Sequence, residues 1–120
     1  MKTARFIIQS PPVTWQRPRY NPKSGSFFTP QKVIDAENEI AWIARSLGVK
    51  FDDAAVAVSI AFHAEQTDVV ITELDPTDVG KPRRGDIDNL AKTVLDGLTK
   101  SGVIADDTKV VRLILDKAPT

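Results

Sequence analysis

Two acidic pairs lie on either side of an amphipathic segment in the second half of the chain. Asp86 and Asp88 open this segment, in the sequence D-I-D-N-L-A-K, and Asp106 and Asp107 follow it. Three cationic residues precede the first pair: Lys81, Arg83 and Arg84. Cations that can hold a polyanion therefore lie beside carboxylates that can hold a divalent metal ion, a layout suited to metal-assisted phosphodiester chemistry.

The available ligand types favour a hard metal ion. The chain has no cysteine and one histidine, so a metal site would depend on oxygen ligands, which suit Mg²⁺, Mn²⁺ or Ca²⁺ better than zinc. Asp86 and Asp88 are two residues apart and could face one ion, with Asp106 or Asp107 brought beside them. Three carboxylates so close would repel one another without an ion between them. One ion would activate water, and a second could stabilise the leaving oxygen.

Lys92 lies one helical turn beyond Asp88, where its ammonium group could contact the scissile phosphate or orient a carboxylate. A structural explanation of the same residues is equally open at this point. Asp88 would cap a helix, and Asp86 would pair with a preceding arginine. The later acidic pair would form a polar turn. The D-x-D pattern alone is too short to decide between the two.

The apolar patterns predict the elements that must position these residues. In chain order they are a strand at 4–9, a helix from Thr29 to Gly48, a strand at 54–63, a short strand at 69–72, a helix from Asp88 to Gly102 and a strand at 109–117. This order, β-α-β-(β)-α-β, indicates an α+β protein with two helices packed on a small mixed sheet. A chain of 120 residues is most simply a single domain over 1–120.

Alternation and helical spacing indicate which faces are buried. One face of the strand at 54–63 is expected in the core: Val56, Val58, Ile60 and Phe62. Its other face consists of small residues and could contact a helix or a partner subunit: Ala57, Ser59 and Ala61. A stripe on the second helix is also expected to be buried: Leu90, Val94, Leu95 and Leu98. His63 ends the strand, where either a structural role or a role as general base fits a histidine.

The segment at 10–28 contains four prolines and is predicted to form a long loop. It interleaves cations with aromatic rings: Arg17, Arg19 and Lys23 among Trp15, Tyr20, Phe27 and Phe28. Cations suit phosphates, and rings can stack on exposed bases. Alternatively, the rings pin the loop to the core and the cations are only solvated.

Charge is unevenly distributed although the net charge is zero. Residues 1–50 carry eight bases and three acids, whereas residues 51–120 carry eight bases and thirteen acids. This asymmetry indicates a basic surface together with a specialised acidic site. The apolar run near the N-terminus is too short for a membrane span or a signal sequence, so a soluble cytoplasmic protein is expected.

The run RRGDIDNLAKTVLDGLTKSGVIADDTKVV resembles the signature of the RusA-type Holliday junction resolvases. That signature is a basic run, D-[LI]-D-N-L-x-K, a helix containing D-x-L, then K-x-G and D-D-x-x-V. The N-terminal half is similar to phage and prophage members, with Pro11-Pro12 ending a strand, Arg17-Pro18-Arg19, and Thr29-Pro30 opening a helix. The chain departs from the pattern at Gly85 and Pro82, because the basic run is denser in some members.

The resemblance implies a homodimeric, Mg²⁺-dependent endonuclease, with Mn²⁺ able to substitute. It would bind four-way DNA junctions and nick two strands of like polarity, leaving ligatable ends. Carried over by position, the catalytic and metal-binding acids are Asp86, Asp88 and Asp107, and Lys92 is the essential lysine. Asp106 occupies the neighbouring acidic position as a further metal ligand. The residues expected to contact DNA are Arg17, Arg19, Lys23, Lys81, Arg83 and Arg84.

Three other functions remain open from the sequence. A branched-DNA-binding dimer without nuclease activity predicts that Asp86→Asn and Asp88→Asn leave function intact. A metal-dependent nucleotide hydrolase leaves Arg17, Arg19 and the proline-rich segment unexplained. A protein-interaction domain makes the layout of residues 81–107 a coincidence.

Overall fold

A computed structural model describes residues 1–52, 54–75, 77 and 85–115. The chain divides into two compact units, Met1–Leu74 and Asp75–Thr120. The elements of the first unit are, in chain order, β1 (Thr3–Ile8), β2 (Arg19–Asn21), β3 (Ser26–Phe28), α1 (Gln31–Ser46), β4 (Val56–Phe62) and β5 (Thr67–Glu73). In the second unit they are α2 (Ile87–Ser101) and a 3₁₀ helix (Asp107–Lys109).

Strands β1, β5 and β4 form a three-stranded antiparallel sheet in that spatial order. Val, Ile, Thr and Phe dominate the three strands, and such residues fit a pleated, half-buried surface. The strands predicted at 4–9, 54–63 and 69–72 are thereby confirmed, with bounds shifted by one or two residues. All pairings in the described sheet are antiparallel, so the predicted α+β class is confirmed with an antiparallel rather than a mixed sheet.

Helix α1 begins and ends at local sequence signals. Pro30 occupies the N-cap position, and its carbonyl accepts a hydrogen bond from the Val33 N–H at 3.0 Å. The predicted cap at Thr29 is therefore one residue early. At the other end Gly48 has a φ of +69°, and its N–H donates to the Arg45 carbonyl at 3.2 Å. The glycine terminates the helix as predicted, because residues with a Cβ rarely adopt this φ.

A small core lies in the first unit where α1 packs against β1. Its buried apolar residues are Ala4, Ile8, Val33 and Val69. Ala4 and Ile8 lie on one face of β1 because side chains alternate along a strand. Val69 pairs with Phe6 across the sheet and shares that face. The core therefore covers one face of the sheet over β1 and β5.

Strand β4 continues this apolar face without being covered. Val58 and Ile60 are paired with Ile71 and Val69 of β5, so they lie on the face that carries the core. All seven residues of β4 are nevertheless exposed. Among the described elements α1 comes close to β1 and not to β4. Alternation thus gives the correct face, but the prediction that Val56, Val58, Ile60 and Phe62 are buried is wrong.

Strands β2 and β3 form a two-stranded antiparallel hairpin inside the segment predicted to be a loop. Tyr20 pairs with Phe27, and such aromatic pairs stabilise neighbouring strands. The connecting turn is closed by two hydrogen bonds, from the Lys23 N–H to Asn21 Oδ1 at 3.0 Å and from the Gly25 N–H to the Asn21 carbonyl at 2.8 Å. The loop prediction is wrong over these residues, because Asn-Pro-x-x-Gly is a turn signal between short strands.

Helix α2 ends as predicted at Gly102, whose φ is +83° and whose N–H donates to the Thr99 carbonyl at 3.1 Å. It begins at Ile87, one residue earlier than predicted, and Asp86 occupies the N-cap position. Neither α1 nor α2, the long helices of the described chain, is long and apolar enough to cross a membrane.

Two expectations for the second unit are wrong. Leu90, Val94 and Leu98 are exposed and Leu95 is half-buried, whereas Ala91 is buried. The strand predicted at 109–117 is absent from its described part, since Lys109 ends the 3₁₀ helix and residues 110–115 pair with no strand. Residues 116 and 117 lie outside the described residues. Strand propensity reflects packing against neighbours, so an apolar run alone does not specify a strand.

Candidate active site

Asp86 occupies the N-cap position of α2, yet its carboxylate does not cap the helix. Its backbone is extended, with φ −78° and ψ 129°, and its carbonyl accepts a hydrogen bond from the Leu90 N–H at 3.0 Å. An aspartate at this position normally accepts a bond from a backbone N–H of the first turn, and Asp86 makes no such side-chain bond. Its Oδ2 accepts one long hydrogen bond of 3.4 Å from the Asn89 side chain. Among the described residues, the exposed carboxylate is thus only weakly engaged.

Gly85 determines how the chain enters this cap. Its φ is +103°, a backbone conformation that residues with a Cβ rarely adopt. A Cβ added there would lie 3.5 Å from Leu90 Cδ1, which is an ordinary contact. Backbone conformation, rather than space, therefore requires glycine directly before Asp86. This accounts for the glycine that interrupts the basic run.

Gly85→Ala is expected to destabilise the protein by about 1 kcal/mol or more, because alanine must either strain this φ or move Asp86. Gly97→Ala is the matched control. Gly97 lies inside α2 with open space around its Cβ position, so alanine there is expected to stabilise by about 0.5–1 kcal/mol. Urea unfolding of both variants measures the difference. If both substitutions changed the free energy of unfolding by the same amount and in the same direction, the positive φ of Gly85 would not require glycine.

Lys92 pairs with Asp96, the acid one turn further along α2. Its Nζ lies 3.2 Å from Asp96 Oδ2, and both side chains are largely exposed. An exposed i,i+4 pair contributes only about 0.3–0.5 kcal/mol, so the ammonium group can exchange this carboxylate for a phosphate at little cost. Asp88 is exposed in the first turn, and its carboxylate makes no hydrogen bond or ion pair with any residue in the described ranges. Asp88 does not cap the helix, because the N-cap position is occupied by Asp86.

Asp106 and Asp107 differ in their hydrogen bonding. Asp106 Oδ2 accepts hydrogen bonds from Thr108, from Oγ1 at 2.6 Å and from the backbone N–H at 3.4 Å. The side-chain bond and then the backbone bond of Thr108 hold the pKa of Asp106 below its usual value. Asp107 begins the 3₁₀ helix, is exposed, and has a carboxylate without a hydrogen-bond partner among residues 85–115. Asp107 is therefore the freer of the two acids.

The described residues do not assemble a three-acid cluster. Within 1–52, 54–75, 77 and 85–115, no three His, Asp or Glu side chains come close enough together to hold a metal ion. Lys81, Arg83 and Arg84 lie outside these ranges. The donor chemistry still suits Mg²⁺, which takes oxygen ligands, often one or two protein carboxylates, and retains several waters. The ligand set Asp86, Asp88, Asp107 and Asp106 therefore stays a prediction.

The aromatic rings of the 10–28 segment lie at the surface. Trp15 is 64% exposed, Tyr20 55%, Phe27 71% and Phe28 47%, so these rings do not pin the segment to the core. The rings of Tyr20 and Phe27 contact each other instead, with centroids 5.3 Å apart and planes tilted by 57°.

The three cations of the same segment are also exposed: Arg17, Arg19 and Lys23. Arg19 Nη2 donates to Gln16 Oε1 at 3.2 Å. In the described part of the chain none of the three cations pairs with a carboxylate. Their positive charge is therefore not offset by an ion pair, and their role in DNA contact stays a prediction.

His63 lies in the turn between β4 and β5. Its Nε2 is 3.2 Å from Asp68 Oδ2, and its backbone N–H donates to the Gln66 carbonyl at 2.8 Å. The Gln66 side chain donates to Asp68 Oδ1 at 2.8 Å. These bonds tie the turn together, which favours the structural role for His63.

Two partnerships escaped sequence reasoning. The i,i+4 spacing of Lys92 and Asp96 could have revealed their ion pair. The D-x-T spacing of Asp106 and Thr108 could have revealed the capped turn, since aspartate commonly accepts a bond from the backbone two residues on.

Fold and site together define a class of protein. It is a small α+β protein with exposed cations and rings on a hairpin. At the start of a helix it has carboxylates that no described residue caps or pairs with. Oxygen ligands of this kind suit a catalytic divalent metal, and cations interleaved with exposed rings suit a nucleic acid.

Comparison with known families identifies the group. The family model described as endodeoxyribonuclease RusA matches residues 9–120. Because this match covers nearly the whole sequence, the chain belongs to the RusA endodeoxyribonuclease family. The predicted family is confirmed, and membership supports nuclease activity. Comparisons with curated proteins and with solved structures each found no match.

Proposed function

We propose that the protein is a Mg²⁺-dependent Holliday junction resolvase that nicks two strands of like polarity at a four-way DNA junction during recombination and repair. The main support is that the family match spans the D-I-D-N-L-A-K sequence, in which Asp86 and Asp88 stand exposed at the start of α2. Neither carboxylate is used in a helix cap or an ion pair with a described residue. Acids left uncommitted in this way suit metal binding better than a structural role.

Each acidic residue has an assigned task in this proposal. Asp86, Asp88 and Asp107 hold the metal ion, and Asp106, the neighbour of Asp107 in the sequence, is engaged by Thr108. Bound Mg²⁺ supplies Lewis-acid charge at the phosphoryl oxygen and lowers the pKa of a water molecule. Lys92 leaves its weak pair with Asp96 and donates to the scissile phosphate, where its charge offsets the charge that develops in the transition state.

Binding is driven by the basic N-terminal part of the chain. Six cations precede the first acidic residue, Asp35. Arg17, Arg19 and Lys23 are exposed among them, and Lys81, Arg83 and Arg84 add a second basic run beside the acids. Phosphate contacts of this kind release counterions, so affinity for DNA falls steeply as salt concentration rises.

A comparison of substrates tests the proposed function. Purified protein is incubated with a labelled four-way junction, a linear duplex and a nucleotide, each with Mg²⁺ and with EDTA. Symmetric nicks in the junction alone, and only with Mg²⁺, are the expected result. Junction binding without cleavage at any metal concentration would favour a branched-DNA-binding protein instead. Hydrolysis of the nucleotide would favour the nucleotide hydrolase.

Lys92→Ala is expected to slow junction cleavage roughly 100-fold, because a cation that contacts the phosphate is lost. Asp96→Ala is the matched control, since it removes the other half of the same ion pair and is expected to cut at close to the parental rate. Single-turnover cleavage at saturating protein measures both. A Lys92→Ala protein with the parental rate would remove Lys92 from the mechanism.

We also infer that two chains associate through β4. This strand is one edge of the described sheet, and residues 54–62 contain no charge and no proline. Such edges normally carry charge, proline or a cover to prevent association. The opposite edge, β1, carries Arg5 and is followed by Pro11 and Pro12. A two-fold dimer also matches the approximate two-fold symmetry of a junction, placing one site on each of two opposed strands.

Ile60→Lys is expected to convert the dimer to a monomer, because it places a charge in the middle of this uncovered edge. Val103→Lys replaces an exposed apolar residue away from β4 and is expected to remain dimeric. Sedimentation velocity distinguishes the two states. Dimers in both variants would place the interface elsewhere.

A further inference from the structure

We propose that the β2–β3 hairpin is a base-stacking site in which Tyr20 and Phe27 bind the unstacked bases at the centre of branched DNA. This rests on the proposed action on four-way junctions and assigns a part of the substrate to a part of the chain. The hairpin consists of two three-residue strands joined by a turn, and it is separate from the three-stranded sheet.

Burial does not account for the rings of the hairpin. Tyr20, Phe27 and Phe28 are all exposed, although phenylalanine in particular is normally buried. A two-stranded hairpin is only marginally stable by itself, and its cross-strand pair of Tyr20 and Phe27 gives it shape. Because these rings meet at a tilt of 57°, they do not cover each other's faces by parallel stacking. Ring surface is therefore left for another planar group.

The positive charge around the hairpin favours DNA as the molecule that binds its rings. Residues 10–34 contain four cations and no acid. Arg19 lies on β2 opposite Phe28, and Lys23 lies in the turn, so charge accompanies the rings on the hairpin itself. A second copy of this hairpin would bring like charges together. A single-stranded or unpaired stretch of DNA supplies both the phosphates for the cations and the flat bases for the rings.

Stacking on the hairpin discriminates branched from linear DNA. In a linear duplex the bases are already stacked in pairs, whereas the strand-exchange point of a junction offers bases that can be unstacked. Loss of a ring should therefore weaken junction binding and leave duplex binding unchanged. Loss of a cation that contacts phosphate should weaken binding to both kinds of DNA to a similar degree.

The test uses Phe27→Leu, which keeps an apolar side chain and removes the ring. Trp42→Leu removes an exposed ring on α1, outside the hairpin, and is the first control. Lys23→Ala is the phosphate-contact control. DNA affinity is measured by fluorescence anisotropy in EDTA, so that no strand is cut, on a junction and on a duplex of matched length. A second readout is the fluorescence of 2-aminopurine placed at the branch point or within an arm. Circular dichroism and thermal unfolding establish that each variant is folded.

Parental protein and Trp42→Leu are expected to change the 2-aminopurine signal at the branch point but not in the arm. Phe27→Leu is expected to lose this change and to bind the junction on the order of 10-fold to 100-fold more weakly, with duplex affinity unchanged. Lys23→Ala is expected to weaken both affinities together.

Two results would overturn base stacking by the hairpin. One is a folded Phe27→Leu protein with parental junction affinity and a parental 2-aminopurine response. The other is an equal loss of junction and duplex affinity, which would make Phe27 a general packing residue. If the parental protein cuts junctions in Mg²⁺ while either result is found, the stacking site fails and the proposed function stands. If the parental protein binds no branched DNA, both fail.

Discussion

Replacing Asp88 by asparagine is expected to abolish junction cleavage and to leave junction binding intact. Asparagine keeps the shape of the side chain but loses the negative charge that a divalent metal requires. A catalytic metal supplies several kcal/mol of transition-state stabilisation, so cleavage should fall by roughly 1,000-fold or more. Folding should be little affected, since Asp88 is exposed and its carboxylate holds no hydrogen bond to a described residue. The favourable effect of an acid in the first helical turn is only about 0.3–1 kcal/mol.

Asp96→Asn is the control for this result, because it makes the same change of charge on the same helix at a position outside the proposed metal ligands. Single-turnover cleavage in Mg²⁺ gives the rate, and anisotropy in EDTA gives the affinity of each protein for the junction. A parental rate in Asp88→Asn would favour the branched-DNA-binding protein without nuclease activity. Loss of binding together with unfolding would instead make Asp88 a structural residue.

The elements could be predicted where the signal is local. Gly48 and Gly102 end their helices because each adopts a positive φ, and that requirement is visible in the sequence as a glycine after an apolar-periodic run. The first helix was predicted one residue early and the second one residue late, since Pro30 and Asp86 occupy the N-cap positions without capping side-chain bonds. A cap is identified by backbone geometry, which several neighbouring residue types can satisfy.

Burial could not be predicted because it depends on what else reaches a face. Alternation along β4 correctly gives the face on which Val58 and Ile60 lie, but α1 packs on β1 and leaves that part of the sheet open. The apolar run at 110–115 has strand-like composition and no strand partner among the described residues. Apolar periodicity depends on one segment alone, whereas burial and strand pairing also depend on the segment that packs against it.

The residue types of the candidate site could be predicted from the sequence, but their positions relative to one another in space could not. The order of cations, acids and helix is readable from the sequence, and the family match supports it. The partners of Lys92 and Asp106 follow from local spacing, at i+4 and i+2. Convergence of acids from two places in the chain depends on a tertiary contact that no local pattern encodes.

The choice between Asp106 and Asp107, open from spacing alone, leads to a second prediction of large effect. Asp107→Asn is expected to reduce junction cleavage by roughly 1,000-fold, as for Asp88→Asn, because it removes charge from a carboxylate with no other partner in the described chain. Asp106→Asn is expected to stay within about tenfold of the parental rate, since Asp106 is already engaged by Thr108.

The same pair of variants is a matched comparison because the two residues are adjacent and lose the same charge. In Asp106→Asn the amide oxygen can still accept the bonds from Thr108, so the 3₁₀ turn is retained. The lowered pKa of Asp106 means that its carboxylate stabilises the turn above the ordinary pKa of aspartate, and that this contribution is lost as pH falls through the lowered value. Near neutral pH the Asp106 carboxylate of the parental protein is therefore charged and its turn is intact, and the cleavage rates are compared at that pH. The reverse order of effects, with Asp106→Asn inactive and Asp107→Asn active, would assign the metal to the acid that Thr108 binds, and Thr108 would then orient a ligand rather than cap a turn.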